Sequence, residues 1–504
     1  MKRLLSLFAA AVLAISAMAQ PSMPMFHFGV ANKGYDYMMS HNSHIIAEQD
    51  GELIIATWET RGILGACIPW GLQVVAVDTN MKVLRQVALP DTRMDELVFA
   101  NYVEGKVYLL IRHQFKAEYR RAVVEPRSMT LESCEKMSTN MPGKDYAAYH
   151  WDAKSDNGLF YAMEDVFVNS VSKEMVHRQL LLDEKLEQLW EKRFEANEVS
   201  DMRVSDEGVV YLFGSRYDKA KQETVVAVHV LDVDDEKSAV GRMAVGEVHR
   251  LALLNIVGNG ESPSTLYAVA AGYIRTPESP KKSDCFDKMV GLCLDINTGD
   301  IRATTVRFTS DELNVFGNKS TKKENKVGMV DALTIANSAG TGYGGVLLLQ
   351  RCWKVTTRST KAPDVHDYFT MGSLAIAVDT TGAILWHRPF RTVNGERTGQ
   401  AADIPCYGDA PMMVEGDNVY VMLPEPTKTP ATYDIEAPSM KIMVGNKAHA
   451  NVVYGIDRQG TVVKQVAVPK DKGSMMDNMV RQAPGRYVGV YSFHKKSALV
   501  YVNF

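Results

Sequence analysis

Residues 374–390 read LAIAVDTTGAILWHRPF, and this stretch decides the fold. Apolar and β-branched residues flank a short polar turn that carries Asp379 and Gly382. That is the composition of two antiparallel strands joined tightly. Six more copies of the same shape start at Leu72, Ala122, Gln179, Val225, Met289 and Val452. Ahead of most copies stands another tight turn and an apolar strand: Asp50-Gly51 before LIIATW, Glu104-Gly105 before VYLLI, Glu207-Gly208 before VVYLFG, Gly416-Asp417 before VYVML. Two hairpins in series make a four-stranded unit, and units in series make a β-propeller. The stretch DEKLEQLWEKRF, 183–194, is built from good helix formers. Its register nonetheless matches the hairpin turns of its neighbours, so it is read as strand.

The chain ends supply the count. After the seventh hairpin, Met479 to Phe504 offers an inner strand, a second after Pro484-Gly485 and a third, ALVYVNF, at which the chain stops. MPMFHFGV, 23–30, lies outside the first unit and is the natural missing strand, which would zip the ring shut and remove its open edges. The expectation is an all-β, eight-bladed propeller closed by an N-terminal strand, with seven blades as the alternative. Residues 20–504 form one domain, because repeat units bury their apolar faces only against neighbours.

Lys2 and Arg3, an apolar run from Leu4 to Ile15 and the small-residue site Ala17-Met18-Ala19 read as an export leader, residues 1–19. That run is shorter than the roughly 20 residues a bilayer needs, and no later segment is a membrane-span candidate. An exported protein, periplasmic or at the cell exterior, follows. Without Lys2 and Arg3, 54 basic residues face 60 acidic ones, a formal charge of −6, which disfavours nucleic acid as a partner. The six cysteines, Cys67, Cys134, Cys285, Cys293, Cys352 and Cys406, are too sparse for a disulfide framework and read as separate thiols. Eight residues of strand would hold even Cys285 and Cys293 about 26 Å apart.

With strands ordered A to D outward from the axis, the A–B and C–D turns share one face and are short. The B–C and D–A connections share the other, and several are long: 59–71, 274–287, 309–328, 352–370, 391–408 and 424–450. Long connections on a compact domain are where binding is expected. The residue before each A strand should sit at the channel mouth on that face. Those positions are Asn42, Asp95, Asp145, Asp201, His249, Asp331, Asp409 and Asp477. Asp caps turns through its own backbone, which suits a strand entrance without any ligand. Converging carboxylates would otherwise hold a basic peptide or a hard cation, Ca²⁺ before Zn²⁺, with Asp331 and Asp409 the metal candidates. Trp353, His366, Asp367, Tyr368 and Phe369 in the long connection of the sixth unit form an aromatic and polar cluster suited to a glycan or protein partner. His41 and His44 lack an evident third metal ligand, and Lys319, Lys322, Lys323 and Lys326 read as a solvated loop.

AVDTTGAILW, 377–386, resembles the A-x-D-x-x-T-G-x-x-x-W repeat of the pyrroloquinoline-quinone-like propellers, with a turn one residue shorter. LDINTGDI from Leu294 keeps the D-x-x-T-G spacing without the Trp, and LLDEKLEQLW from Leu181 keeps Asp183 and Trp190 without Thr-Gly. The resemblance implies an eight-bladed ring. Its catalytic members carry adjacent cysteines beside the quinone, and this chain has no two adjacent Cys, so no organic cofactor is expected. The sequence also has no G-x-S-x-G elbow, phosphate loop or H-E-x-x-H site. Binding or scaffolding in the cell envelope or outside it therefore ranks above a glycan or peptide hydrolase or lyase that uses channel-mouth carboxylates.

Overall fold

A computed structural model describes residues 21–28, 44–63, 66–92, 95–113, 118–137, 146–155, 157–169, 171–172, 175–194, 201–218, 220–243, 250–259, 265–273, 285–316, 330–331, 333–357, 365–399, 411–426, 449–468, 475–493 and 496–504. Strand β1 is Met25–Phe28. Blade 1 is β2 (His44–Gln49), β3 (Glu52–Ile63), β4 (Ala66–Val77) and β5 (Val83–Ala88); blade 2 is β6 (Asp95–Val103), β7 (Lys106–His113), β8 (Tyr119–Glu125) and β9 (Thr130–Lys136). Blade 3 is β10 (Tyr146–Lys154), β11 (Tyr161–Asn169), β12 (Met175–Leu182) and β13 (Gln188–Phe194); blade 4 is β14 (Asp201–Val204), β15 (Val210–Asp218), β16 (Glu223–Leu231) and β17 (Glu236–Met243). Blade 5 is β18 (Arg250–Asn259), β19 (Thr265–Tyr273), then, past the short β20 (Cys285–Phe286), β21 (Lys288–Asp295) and β22 (Ile301–Arg307). Helix α1 (Ser310–Val315) and β23 (Val330–Asp331), which pairs with β20, lead to blade 6: β24 (Leu333–Thr341), β25 (Gly344–Thr357), β26 (Val365–Asp379) and β27 (Ile384–Gly399). Blade 7 is β28 (Met412–Glu415), β29 (Asn418–Pro426), β30 (His449–Ile456) and β31 (Val462–Val468). Blade 8 is β32 (Met475–Ala483), β33 (Arg486–Phe493), β34 (Lys496–Asn503) and, outermost, β1.

The first strands of neighbouring blades touch one another, β10 to β14, β14 to β18, β18 to β24, β24 to β28 and β32 to β2, and so wall a central channel. Eight four-stranded sheets in a ring are the expected propeller. Closure is also as expected: β1 runs antiparallel to β34 from Met25 opposite Asn503 to Phe28 opposite Val500. Tyr420 of blade 7 donates a hydrogen bond to the Ser22 carbonyl at 2.8 Å, which pins the segment ahead of β1. The helix-prone stretch 183–194 is turn and strand, with Leu181 opposite Trp190, because tertiary pairing overrides propensity.

The core lies between blades. On β3, Leu53 and Ile55 pack with Val488 and Leu499 of blade 8, while Ile54 and Ala56 pack with Leu109 and Ala122 of blade 2. Alternate side chains point to opposite faces and both faces are covered, so second strands such as those of blades 1 and 6 read as apolar runs. The C–D turns show why the repeat needs Asp and Gly. The Asp379 Oδ1 accepts from the backbone N–H of Thr381 at 2.8 Å and of Ala383 at 2.9 Å, and Asp457 does the same for Gln459 at 2.9 Å and Thr461 at 2.7 Å. Gly382 takes φ +78° and a Cβ there would sit 2.3 Å from the Leu292 carbonyl carbon of blade 5; at Gly460, φ +76°, a Cβ would sit 2.7 Å from the Trp386 ring of blade 6. These two turns thus key into the preceding blade, and packing accounts for their Asp and Gly.

Several connections expected as loops are paired strand. In blade 6 the ladder continues past the ring, with Trp353 opposite Phe369, Thr357 opposite Val365 and Val365 opposite Gly399. In blade 1 it runs out to Ile63 opposite Ala66. The start of 309–328 is α1, whose capping box joins Thr309 and Glu312, and Arg351 of blade 6 donates to the Phe316 carbonyl at 2.9 Å.

Candidate functional site

Of the eight channel-mouth positions, Asn42, Asp145, His249 and Asp409 lie outside the described residues, as do His41, Cys406 and the Lys319–Lys326 run. Asp95 and Asp201 are the first residues of the inner strands β6 and β14, where they were expected. Asp331 stands in the β20–β23 ribbon opposite Cys285, just ahead of the inner strand β24, and Asp477 is the third residue of β32. Asp95 is withdrawn from solvent: its carboxylate is 1% exposed and lies 3.6 Å from the Arg120 guanidinium. That Asp is used inward. Trp353, His366, Asp367, Tyr368 and Phe369 do not form a loop cluster but lie along the paired extensions of β25 and β26. Cys134 and Cys293 are free thiols.

The side chains that do converge were not foreseen. They lie where blade 3 meets blade 2. Inner strand β10 carries His150, Trp151, Asp152 and Lys154, and pairing sets His150 opposite Asp165 of β11. Asp165 in turn stands opposite Arg178 of β12, and the two side chains form an ion pair with exposures of 0% and 1%. The Tyr119 hydroxyl, from blade 2, donates to the Asp165 Oδ1 at 2.5 Å. His150 Nδ1 lies 3.0 Å from that hydroxyl and 3.5 Å from Asp165. Because the Tyr119 proton goes to Asp165, His150 Nδ1 must be the donor in its contact with Tyr119. The neutral ring then carries its lone pair on Nε2, which is buried and has no hydrogen-bond partner. A histidine oriented through one nitrogen by a carboxylate-backed group, with the other left free, is the arrangement of positioned bases and acceptors.

Burial alone would raise the Asp165 pKa. The His150 hydrogen bond, the Arg178 charge and the Tyr119 hydrogen bond outweigh it and hold the carboxyl below its ordinary value. Tyr119 is driven well above the usual phenol range by burial and by the adjoining Asp165 charge. The Arg178 guanidinium also lies over the Tyr119 ring at 5.7 Å and the Phe167 ring at 5.6 Å. On the opposite face of blade 3, His177 Nδ1 meets Glu164 at 2.5 Å, with both side chains buried.

Toward the channel, Asp152 shares a face of β10 with His150 and is open to water. The surrounding walls still desolvate it, and this raises its pKa; the Glu96 charge adds to the rise and the Arg112 charge opposes it. Glu96 lies on β6, the inner strand of blade 2, 43% exposed and paired with the Arg112 guanidinium at 2.7 Å. The wall therefore offers two water-accessible carboxyls from adjacent blades, one of them shifted toward its neutral form, with a buried relay behind them. The available signal was His150-Trp-Asp-x-Lys within a segment already read as an inner strand, a density of functional groups that no other described inner strand repeats. Among the described residues, no group of three His, Cys, Asp or Glu side chains could hold a metal ion.

No protein-family model and no curated protein matches the chain. Among solved structures it is similar to the Dos1 propeller, at 8% identity and TM-score 0.39, over 96% of this chain and 95% of that one. It is similar to an oligogalacturonate lyase in complex with manganese, at 10% identity and TM-score 0.35, over 96% of this chain and 98% of that one. A mutant of the Synechocystis apocarotenoid oxygenase aligns at 9% identity and TM-score 0.34, over 96% and 94% of the two chains. Likenesses this distant assign neither chemistry nor partner. The propeller itself stands on its eight sheets. No helix among the described residues is long and apolar enough to cross a membrane.

Proposed function

We propose that the chain is an exported propeller of the cell envelope or exterior that binds a protein or glycan partner on its long-connection face. The observation that carries this reading is the three-stranded extension of blade 6. The second strands β7, β11, β15, β19, β29 and β33 cross the ring in 8 or 9 residues, whereas β25 runs 14 and is followed by β26 with 15 and β27 with 16. Residues 351–357 alone carry the hairpin about 24 Å farther at ~3.4 Å per residue. Propeller closure does not require such an arm, and its ladder edge is a surface on which partners add strands. Replacing residues 352–370 with a short Asn-Gly turn should leave the ring folded and abolish recovery of the principal partner from envelope extracts. Equal recovery of every partner with both proteins would overturn the assignment.

A second reading, a glycan or peptide hydrolase or lyase, is favoured by one observation: Asp152, its pKa raised by desolvation, faces the channel beside His150 and the carboxylate of Glu96. Turnover of envelope glycans or peptides by the intact chain, lost in Asp152→Asn, would establish it. A full screen without turnover would leave binding as the function.

A further inference from the structure

Among the described residues, the junction of blades 2 and 3 is where charged side chains are buried deepest in the sheet interior, and its water-accessible side faces the channel. We propose that this wall is a separate binding site for a neutral, hydroxyl-rich ligand of the saccharide class, contacted by Asp152 and Glu96 and positioned by His150. Three features of the site select that chemistry. Arg112 is matched by Glu96 and Arg178 by Asp165, and on the accessible face of β10 Asp152 stands two residues from Lys154, so neither sign of charge is in large excess. The accessible carboxyls of Asp152 and Glu96 are acceptors from adjacent blades, and sugar hydroxyls are donors. The third feature is an unmet demand. His150 Nε2 is a buried acceptor without a partner, on a side chain only 9% exposed whose other nitrogen is already tied to Tyr119. A buried polar atom left in this state calls for a hydroxyl or a bridging water, and Asp152 lies two residues along the same face of β10.

Trp151 stands on the opposite face of β10 and is outside the site, as is the arm of blade 6. Each site can therefore fail while the other stands.

The test uses the intact mature chain in calorimetry and saturation-transfer NMR. The probes are maltose, cellobiose and lactose, with a diuronate and a glucosamine dimer as charged counterparts. At least one neutral disaccharide should bind, more tightly than either charged dimer. Asp152→Asn and Glu96→Gln should each weaken it about tenfold or more, the loss expected for a hydrogen bond to a charged group. The Asp152→Asn melting temperature should match the parent, since that side chain is open to water. His150→Ala should also weaken binding, because the acceptor at Nε2 is lost. The arm-trimmed variant should bind the sugar unchanged. Failure of every neutral disaccharide at about 10 mM, tighter binding of a charged dimer, or affinity unaltered in both carboxyl variants would overturn the site.

Discussion

Blades 3 and 6 solve the same packing problem in opposite ways. The second strand of blade 6 buries Val346, Leu347, Leu348 and Leu349 in succession and carries no carboxylate beyond them: Gln350 donates to Ser373 at 3.0 Å, Ser373 meets Thr392 at 2.9 Å, and the buried Arg351 donates to the Phe316 carbonyl at 2.9 Å. The second strand of blade 3 buries Glu164 and Asp165 in its middle and needs Arg178, His177, Tyr119 and His150 to accommodate them. Both blades close the ring. Buried ion pairs rarely stabilise more than the apolar side chains that could replace them, so stability alone does not account for the charges of blade 3.

The largest effect should come from breaking the charged interior. Asp165→Ala leaves the Arg178 guanidinium buried and uncompensated and should destabilise by about 3–5 kcal/mol in urea unfolding. The comparison sharpens if both partners go. Asp165→Leu with Arg178→Met should recover most of that loss, making blade 3 resemble blade 6, while sugar binding weakens because His150 loses its orientation. If the double variant is as unstable as Asp165→Ala, the charges are structural after all.

A smaller loss, about 1–3 kcal/mol, is expected for Gly382→Ala, which forces a side chain at positive φ into the Leu292 backbone. Thermal unfolding at fixed scan rate measures it, and an unchanged midpoint would show that the turns do not key the blades together. Asp379→Ala removes the acceptor for two backbone N–H groups and should cost about 1 kcal/mol in the same assay.

The smallest effect is a pH dependence. Folding lowers the Asp165 pKa, so its stabilisation is complete above the unfolded value, about 3.9, and is lost as pH falls through the lower folded one. The stability gap between the parent and Asp165→Asn should be open at pH 7 and narrow below about pH 4. A gap constant over that range would mean that the carboxylate charge is not what Arg178 requires.

Blade number, the zipper of MPMFHFGV on ALVYVNF and the strand identity of DEKLEQLWEKRF were all legible because they rest on local patterns: period, turn chemistry and an unpaired segment at each end. The channel mouth was legible only as a list of positions. Which way Asp95 points depends on Arg120, 25 residues away and invisible to periodicity. The channel-wall site was missed for the same reason. His150 and Asp152 sit in an ordinary alternating strand, and Tyr119, Glu96 and Arg112 come from another blade.

Sequence alone determined the architecture, because a strand needing cover on both faces and a turn needing Asp and Gly leave their marks within a few residues of each other. Tertiary structure alone decided where charge is buried and what it faces. Ring closure sets side chains from separate hairpins within 3 Å of one another, and at that range, away from water, partners rather than residue type fix each group's protonation and hydrogen bonding.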